Sequence, residues 1–590
     1  MPVKRHLRPL AFLILVACGH ALPESSFAAS GQATPYPSVS PWSTGQKVIT
    51  DSLLRTLTVR EKVGQLIMPW LIGSYEPLEG DAFDSAAAWV ERHGVGGIII
   101  SIGSPLDAAA KLNALQRRSA IPLIVAADLE YGAGMRMIGA TAFPQPMAIG
   151  ATGRELDAYQ LGRITAIEAR AVGIHWTFSP VADVNNNPAN PIINTRSFGE
   201  SPRDVAGLLA AYIRGASDHG LYTTAKHFPG HGDTGVDSHI ELPVLEACWR
   251  RLNSLELVPF RAAVAAGVTA VMTAHIALPC LDGNDTPATL SSRVMTDVLR
   301  DSLGFDGIVV TDALRMGAIV RRYGAGTSAV EAFLAGSDML LMPTDIPVAI
   351  EAMVAAVDSG GISRARLDSS VARVLQLKKH AGLFTRRVVP LDSIPAVVGS
   401  RAHQLIADDV AARALTLVQE GPIQRFRNQP EQTAVIAYAE ETNLSIGNEL
   451  IRTMRQRDGA IEAFRLYPAS GPMSYDSAQA VIRRARRTVF AVSVRPIAGR
   501  GHIDLPTALA QLISSTDDDA PTVLASFGSP YLINQVPGFS GAYLIAWHQV
   551  GAAQRAVANA LANGAAVTGR LPIHVSDRFP RGHGIELPAR

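Results

Sequence analysis

The chain has 590 residues, of which 47% are hydrophobic and 18% charged, and Gly and Pro separate its short apolar runs. This length exceeds the usual size of one domain, so we expect two domains, one of them large. Lys and Arg number 53 against 52 Asp and Glu, which leaves a net charge of +1. Because nucleic-acid binding requires a broad basic surface, we expect no nucleic-acid partner.

The first 41 residues read as an export signal followed by a tether. A basic segment precedes an apolar run that is too short to span a membrane permanently, and small residues follow it. The run that ends at Cys18 resembles a bacterial lipoprotein signal, in which this cysteine becomes the lipid-bearing first residue. The alternative is an ordinary signal cleaved near Ala29. Both interpretations predict an exported protein, either free in the periplasm or anchored to a membrane.

The other two cysteines are Cys248 and Cys280. Two cysteines form neither a disulfide framework nor a thiolate metal site. The sequence leaves open whether they pair.

Eight apolar runs recur in the first two thirds of the chain, after a capping box formed by Thr58 and Glu61. They lie at residues 64–70, 96–101, 122–128, 174–181, 222–228, 269–275, 307–313 and 338–343. Continuous Val, Ile and Ala runs are typical of strands covered on both faces, and the amphipathic stretches between them supply crossover helices. Eight such units predict an α/β fold with a (β/α)8 barrel over residues 42–380.

A segment rich in charged residues and Pro follows the barrel and predicts a linker over residues 381–400. Strand and helix patterns then resume, with runs such as "TAVIAYAE", "RTVFAVSV" and "PTVLASFGSP". They predict a smaller α/β layer domain over residues 401–590.

Polar residues close several of the apolar runs of the barrel. They are Asp128, Lys226, His227, His275 and Asp312. In an eight-stranded barrel the carboxyl ends of the strands share one face, and that face holds the active site. We therefore expect these side chains to meet.

The stretch "KHFPGHGDTGVDSH" at residues 226–239 favours proton transfer over two alternatives. His227, His231 and His239 offer three zinc ligands, but their spacing fits no helical zinc motif and the glycines indicate a loop. A phosphate cradle needs its Lys after the glycines, whereas here the Lys precedes them. We therefore predict no metal site.

Asp237 and His239 are two residues apart, so in an extended segment their side chains project the same way and can form a hydrogen bond. A carboxylate that binds one imidazole nitrogen leaves the other free to give or take a proton near neutral pH. The alternative is a plain surface pair. Asp312, which ends an apolar strand, favours the catalytic interpretation because it adds a nucleophile to the acid/base.

Together, "KHFPGHGDTGVDSH" and "VVTDALRM" resemble glycoside hydrolase family 3, and within it the β-N-acetylglucosaminidases that use a loop His as acid/base. The resemblance extends to "LTVREKVGQLIM" near the start and to "NTRSFGE" at 194–200. "SFGSPYLI" and "GRLPIHV" resemble the family's second domain, an αβα sandwich. The resemblance to the family thus covers nearly the whole exported chain.

The resemblance implies that Asp312 is the nucleophile and that His239, supported by Asp237, is the acid/base. It also implies a set of sugar-hydroxyl ligands, namely Asp128, Arg136, Arg196, Lys226 and His227. The chain departs from the family where Tyr131 and Gly132 replace a usual pair of glycines, although the eight-residue spacing from Asp128 to Arg136 is kept. A carboxylate backed by Arg donors is a chemically reasonable anchor for a terminal sugar.

The function implied is a retaining exo-β-N-acetylglucosaminidase that needs no cofactor and acts on peptidoglycan or chitin fragments. A His acid is neutral once it has given up its proton, so a phosphate ion is an alternative acceptor, which would make the enzyme a phosphorylase. A lipoprotein that binds glycan without cleaving it is the third alternative. The sequence does not indicate a role for the polar segment at residues 495–506.

Overall fold

The computed structural model describes residues 48–77, 80–428, 430–440, 445–457 and 459–590. The predicted export signal, Cys18 and the alternative cleavage point near Ala29 lie outside the described residues. Within the described ranges, no helix is long and apolar enough to cross a membrane.

The first part of the fold is a ring of short parallel strands, and every predicted apolar run contains at least one of them. The strands are β1 (Ile67–Met68), β2 (Trp70–Leu71), β3 (Gly97–Ile100), β4 (Ile124–Ala127), β5 (Trp176–Thr177), β6 (Thr224–Phe228), β7 (Ala270–Thr273), β8 (Ile308–Val310) and β9 (Leu340–Leu341). Pro69 separates β1 from β2, because its nitrogen has no hydrogen to donate. Strands β3 and β4 are buried along their whole length, as parallel strands covered on both sides should be.

The ring closes because the first run pairs with the last. β1 pairs in parallel with β9, and the series β2-β3-β4-β5 and β6-β7-β8 supply the other strands. Single parallel bridges, Trp176 with Tyr222 and Val310 with Met339, join these groups. The predicted (β/α)8 barrel is confirmed, and the carboxyl ends of its strands form one rim.

Helices connect the strands of both domains. They are α1 (Val48–Thr56), α2 (Val59–Gly64), α3 (Asp81–Glu91), α4 (Pro105–Arg118), α5 (Pro146–Thr152), α6 (Glu155–Val172), α7 (Pro202–Ser217), α8 (Trp249–Ser254), α9 (Leu257–Ala265), α10 (Pro279–Asp282), α11 (Gly317–Val320), α12 (Ala325–Ala335), α13 (Ile346–Asp358), α14 (Arg364–His380), α15 (Ile394–Val397), α16 (Arg401–Ala414), α17 (Ile423–Asn428), α18 (Asn448–Met454), α19 (Pro472–Arg484), α20 (Thr507–Asp519) and α21 (Gly551–Ala562). A π-helix spans Arg293–Ser302. Thr58 and Glu61 form the predicted capping box at the start of α2.

The second domain is a six-stranded sheet with helices on both faces. Its strands are β10 (Thr416–Gln419), β11 (Thr433–Ala439), β12 (Ile461–Leu466), β13 (Arg487–Ser493), β14 (Thr522–Ser526) and β15 (Ala542–Ile545), in the order β10-β15-β14-β13-β11-β12. Only the β10 to β15 pair in this sheet is antiparallel. Ile436 and Tyr438 of β11 join one apolar cluster, whereas Val435 and Ala437 join another. The sheet thus buries both faces, since alternate side chains point in opposite directions.

The segment between α14 and α16 is fixed to the barrel at several points. The Asn113 side chain donates to the Val389 carbonyl and accepts from the Val389 N–H, both at 2.9 Å. In α16, His403 Nδ1 lies 2.7 Å from the buried carboxylate of Glu168 in α6. These contacts hold the second domain against the barrel.

Cys248 and Cys280, whose pairing the sequence left open, form a disulfide. Cys248 immediately precedes α8, and Cys280 lies in α10. The bond therefore joins the segments on either side of β7.

Candidate active site

The carboxyl ends of the barrel strands surround a cavity of about 620 Å³, a volume usual for small-ligand sites. The predicted residues that line it are Asp128, Arg136, Arg196, Lys226, His227, His239 and Asp312. Asp237, the remaining predicted residue, lies behind His239 and binds its ring. The structure therefore brings the whole predicted set together.

Asp128, Glu130, Arg196 and Lys226 form a charged group that we call the floor network. Lys226 Nζ donates to Asp128 Oδ1 at 2.9 Å and lies 2.9 Å from Glu130 Oε1. Arg196 donates to both oxygens of Glu130, from Nε at 2.9 Å and from Nη2 at 2.7 Å. This two-bond geometry fixes the plane of the guanidinium as well as its position.

Arg136 also lines the cavity and joins the floor network at Asp128. Its Nη2 donates to Asp128 Oδ2 at 3.2 Å, whereas Lys226 donates to Oδ1, so each oxygen of Asp128 binds a different cation. The eight-residue spacing therefore brings the pair into contact despite the replacement of glycine by Tyr131.

The charges of the floor network hold one another in the ionised state. Burial opposes ionisation of Glu130, but Arg196 and Lys226 outweigh it and bring its pKa well below the usual range. Burial is likewise outweighed at Asp128, whose pKa is lowered by Lys226 and Arg136. The pKa of Lys226 is raised, because the two carboxylates outweigh its burial. The network thus offers fixed donors and acceptors to sugar hydroxyls.

His227 is oriented by a carboxylate that the sequence analysis missed. Asp183 Oδ2 lies 2.7 Å from His227 Nδ1, while Asp183 Oδ1 accepts from the backbone N–H groups of His227 and His231 at 3.2 and 2.7 Å. The Nδ1 hydrogen therefore points at Asp183, which leaves Nε2 directed toward Arg196 and the cavity. An acidic residue two positions after a predicted strand was the signal available for Asp183.

His231 fixes the loop rather than facing a ligand. Its Nδ1 lies 2.6 Å from Thr234 Oγ1 and its Nε2 lies 3.0 Å from Ser238 Oγ. Burial lowers the pKa of His231 to about 4, so the ring is neutral at physiological pH. Across the described ranges, no group of three His, Cys, Asp or Glu side chains is placed to hold a metal ion.

Residues 237–240 form a turn, which we call the dyad turn. Asp237 Oδ1 lies 2.8 Å from His239 Nδ1 and also accepts from the His239 backbone N–H at 2.9 Å. The Asp237 carbonyl accepts from the Ile240 N–H, so the prediction of an extended segment was wrong. Aspartate favours such turns because its short side chain binds the backbone two residues on. The turn achieves the expected contact and leaves His239 with 36% of its side chain exposed.

The dyad turn is joined to the segment that carries Asp312. The Ser238 and His239 carbonyls accept from the N–H groups of Ala318 and Gly317, at 3.2 and 3.1 Å. A side chain at Gly317 would meet the backbone of the turn, because a Cβ there would lie 2.4 Å from the Ile240 oxygen. The two predicted reacting groups therefore belong to one packed unit.

Asp312 follows β8 and is held in the ionised state. Its Oδ1 accepts from the Ala313 N–H at 2.7 Å. Burial alone would raise its pKa, but His275, His227 and His239 lower the pKa to about 2. His275 Nε2 in turn faces the Ala313 carbonyl at 3.1 Å, which fixes the ring beside the carboxylate. An ionised, partly covered carboxylate is the form that a nucleophile requires.

The second domain contributes a wall of the cavity, through part of the polar segment 495–506 that the sequence left unassigned. Residues 495–498 line it, and the Gly499 N–H donates to Asp237 Oδ2 at 2.7 Å. His548 packs its ring against Tyr131, with the ring centroids 4.5 Å apart. The departure at Tyr131 thus lies where the second domain meets the barrel.

Residues 58–377 match the model of the glycosyl hydrolase family 3 N-terminal domain. The chain belongs to this family and is a glycoside hydrolase. It is 31% identical over 467 residues to a β-N-acetylglucosaminidase/β-glucosidase of Cellulomonas fimi. The aligned region covers 75% of this chain and 82% of the relative.

Solved structures of similar proteins extend the likeness to both domains. A family 3 β-N-acetylglucosaminidase from Paenibacillus sp. str. FPU-7 is 33% identical and has a TM-score of 0.80, over 88% of this chain and 99% of that one. A β-glucoside phosphorylase is 25% identical with a TM-score of 0.82, over 91% of this chain and 98% of that one. The likeness to these structures therefore includes the barrel and the second domain.

Proposed function

We propose that this enzyme is a retaining exo-β-N-acetylglucosaminidase that removes terminal β-linked N-acetylglucosamine from peptidoglycan or chitin fragments. The observation that carries the proposal is that Asp312 and His239 line one cavity together with the floor network, whose charges suit hydroxyl groups. Relatives that are 31 to 35% identical are named β-N-acetylglucosaminidase or β-hexosaminidase, which supports this substrate class.

In the first step Asp312 attacks the anomeric carbon while the bond to the leaving oxygen breaks. Protonated His239 gives that oxygen the hydrogen on Nε2, because its Nδ1 hydrogen is bound to Asp237. The sugar is then an ester of Asp312, and the aglycone leaves as an alcohol.

In the second step water attacks the anomeric carbon of the ester from the face that the aglycone left. Neutral His239 takes the proton of this water, and Asp312 departs as a carboxylate. Two inversions give net retention. The lowered pKa of Asp312 makes it a good leaving group in this step.

Hydrolysis is favoured over phosphorolysis, because the relatives with the higher identities carry glycosidase names, whereas the phosphorylase is 25% identical. The test incubates the enzyme with 4-nitrophenyl β-N-acetylglucosaminide, with and without phosphate, and identifies the sugar product. Free N-acetylglucosamine in both samples is the expected result. A sugar 1-phosphate as the main product would establish the phosphorylase, and no turnover would leave glycan binding alone.

The natural substrate is best sought among defined chito-oligomers and muropeptides. Release of single N-acetylglucosamine units from the non-reducing end is the expected result for an exo-acting enzyme. Cleavage inside a long chain would overturn the exo assignment.

We further propose that the protein is exported and anchored through a lipid on Cys18. The basic and apolar start of the chain supports export, and so does the disulfide of Cys248 with Cys280, a bond typical of oxidising compartments. Membrane fractionation of the wild type and of Cys18→Ala tests the anchor. The variant should lose its membrane association, whereas an unchanged distribution would contradict the lipid.

A further inference from the structure

A loop of the second domain makes direct contact with the dyad turn. This loop, residues 495–501, follows β13 and runs to the cavity. Its Gly499 N–H donates to Asp237 Oδ2 at 2.7 Å. Two residues on, Gly501 lies so close to the turn that a Cβ there would stand 2.9 Å from Ile240 Cδ1. Two independent contacts therefore place the loop against the residues on both sides of His239.

The loop is anchored inside its own domain by Glu440. This buried residue directly follows β11, and its Oε2 accepts from the Arg495 N–H at 3.2 Å. Arg500 returns to the same residue, with Nη1 3.3 Å from the Glu440 carbonyl and 3.5 Å from Oε1. The Arg500 N–H donates to the Ile497 carbonyl at 3.1 Å and closes the loop into a turn. The loop that carries Gly499 is thus held on both sides of this residue, through Arg495 and Arg500.

The bond from Gly499 determines how the carboxylate of Asp237 stands. Oδ1 of Asp237 binds the backbone N–H and the ring Nδ1 of His239, and Oδ2 accepts from the Gly499 N–H. The Asp237 side chain has no exposed surface, so loss of this donor would leave a buried acceptor unpaired. The carboxylate would then turn toward another donor and carry the His239 ring with it.

We propose that the Gly499 N–H is a positioning group for acid/base catalysis, so that the second domain completes the proton-transfer apparatus of the barrel. The proposal rests on the proposed function, because it assigns Gly499 a role in the protonation of the leaving group. It also explains why the loop avoids a side chain here, since Gly499 has a φ of 81°, a conformation that favours glycine.

The test removes the donor with Gly499→Pro and compares it with Gly538→Pro. Gly538 is an exposed second-domain glycine with a φ of 79°, so both variants force a similar backbone change. Each protein is assayed on two substrates. Chitobiose has a sugar as a poor leaving group, whereas 4-nitrophenyl β-N-acetylglucosaminide releases 4-nitrophenol, a good leaving group that needs little protonation. We expect Gly499→Pro to lose about 10²-fold in kcat on chitobiose and much less on the aryl substrate. Gly538→Pro should resemble the wild type on both.

Glu440→Gln provides a second variant that keeps the backbone of the loop. It weakens the anchor at Arg500 and should show the same preference for the aryl substrate with a smaller loss. Equal losses on both substrates in Gly499→Pro, or unchanged ratios in both variants, would overturn the role of Gly499. A wild type that cleaves neither substrate would instead overturn the proposed function, and the positioning role with it.

Discussion

The floor network and the dyad turn are held in opposite ways. On the floor, each buried charge binds at least one partner of the barrel, and Glu130 binds both Arg196 and Lys226. The dyad turn instead carries a partly exposed His239 and accepts one of its hydrogen bonds from the second domain. The floor is thus set by the barrel alone, whereas the acid/base depends on a contact between domains.

This difference separates binding from proton transfer. A sugar ring needs fixed hydroxyl partners before it reacts, and fixed charges supply them without reorganisation. A proton donor must meet a leaving group that changes in size from one substrate to the next. Removing a floor residue should therefore cost stability as well as activity, whereas removing His239 should cost activity alone.

The largest loss should follow Asp312→Ala, because no other group then forms the glycosyl ester. We expect kcat to fall by about 10⁴-fold or more on every substrate, whatever the leaving group. Steady-state kinetics on chitobiose and on the aryl glycoside measure this loss. Near-normal turnover by the folded variant would refute the assignment of the nucleophile.

His239→Ala should give the next largest effect, and only where protonation matters. On chitobiose we expect a loss of about 10² to 10⁴-fold in kcat, with a much smaller loss on the aryl glycoside. The free energy of unfolding should change by less than about 0.5 kcal/mol, because His239 is partly exposed. Equal losses on the two substrates would count against acid catalysis.

Glu130→Ala tests the floor network and should lower stability as well as activity. The substitution leaves Arg196 and Lys226 buried with fewer partners, which should lower the free energy of unfolding by about 3 to 5 kcal/mol. Urea unfolding measures the change. Glu351→Ala is the control, because Glu351 pairs with Arg60 at the surface and such pairs contribute at most about 1 kcal/mol. Similar losses in the two variants would show that the floor pairs do not stabilise the fold.

Much of the barrel could be predicted, because its signals are local. Each strand is a short apolar run, and a polar residue at its end, such as Asp128, must reach the common rim. The same reasoning located Asp312. It failed for the geometry at Asp237, where a turn rather than an extended segment makes the contact with His239. Side-chain hydrogen bonds to the backbone chose that conformation, and strand patterns do not register them.

The sequence by itself determined the barrel, the two-domain order and which residue types stand at the strand ends. The tertiary structure decided the partners: Glu130 binds Arg196, 66 residues away, and Asp237 binds the Gly499 N–H, 262 residues away. Every residue except proline carries a backbone N–H, so the amino-acid sequence does not show that the N–H of Gly499 is the one that binds Asp237. Only the packing of the second domain against the barrel selects it.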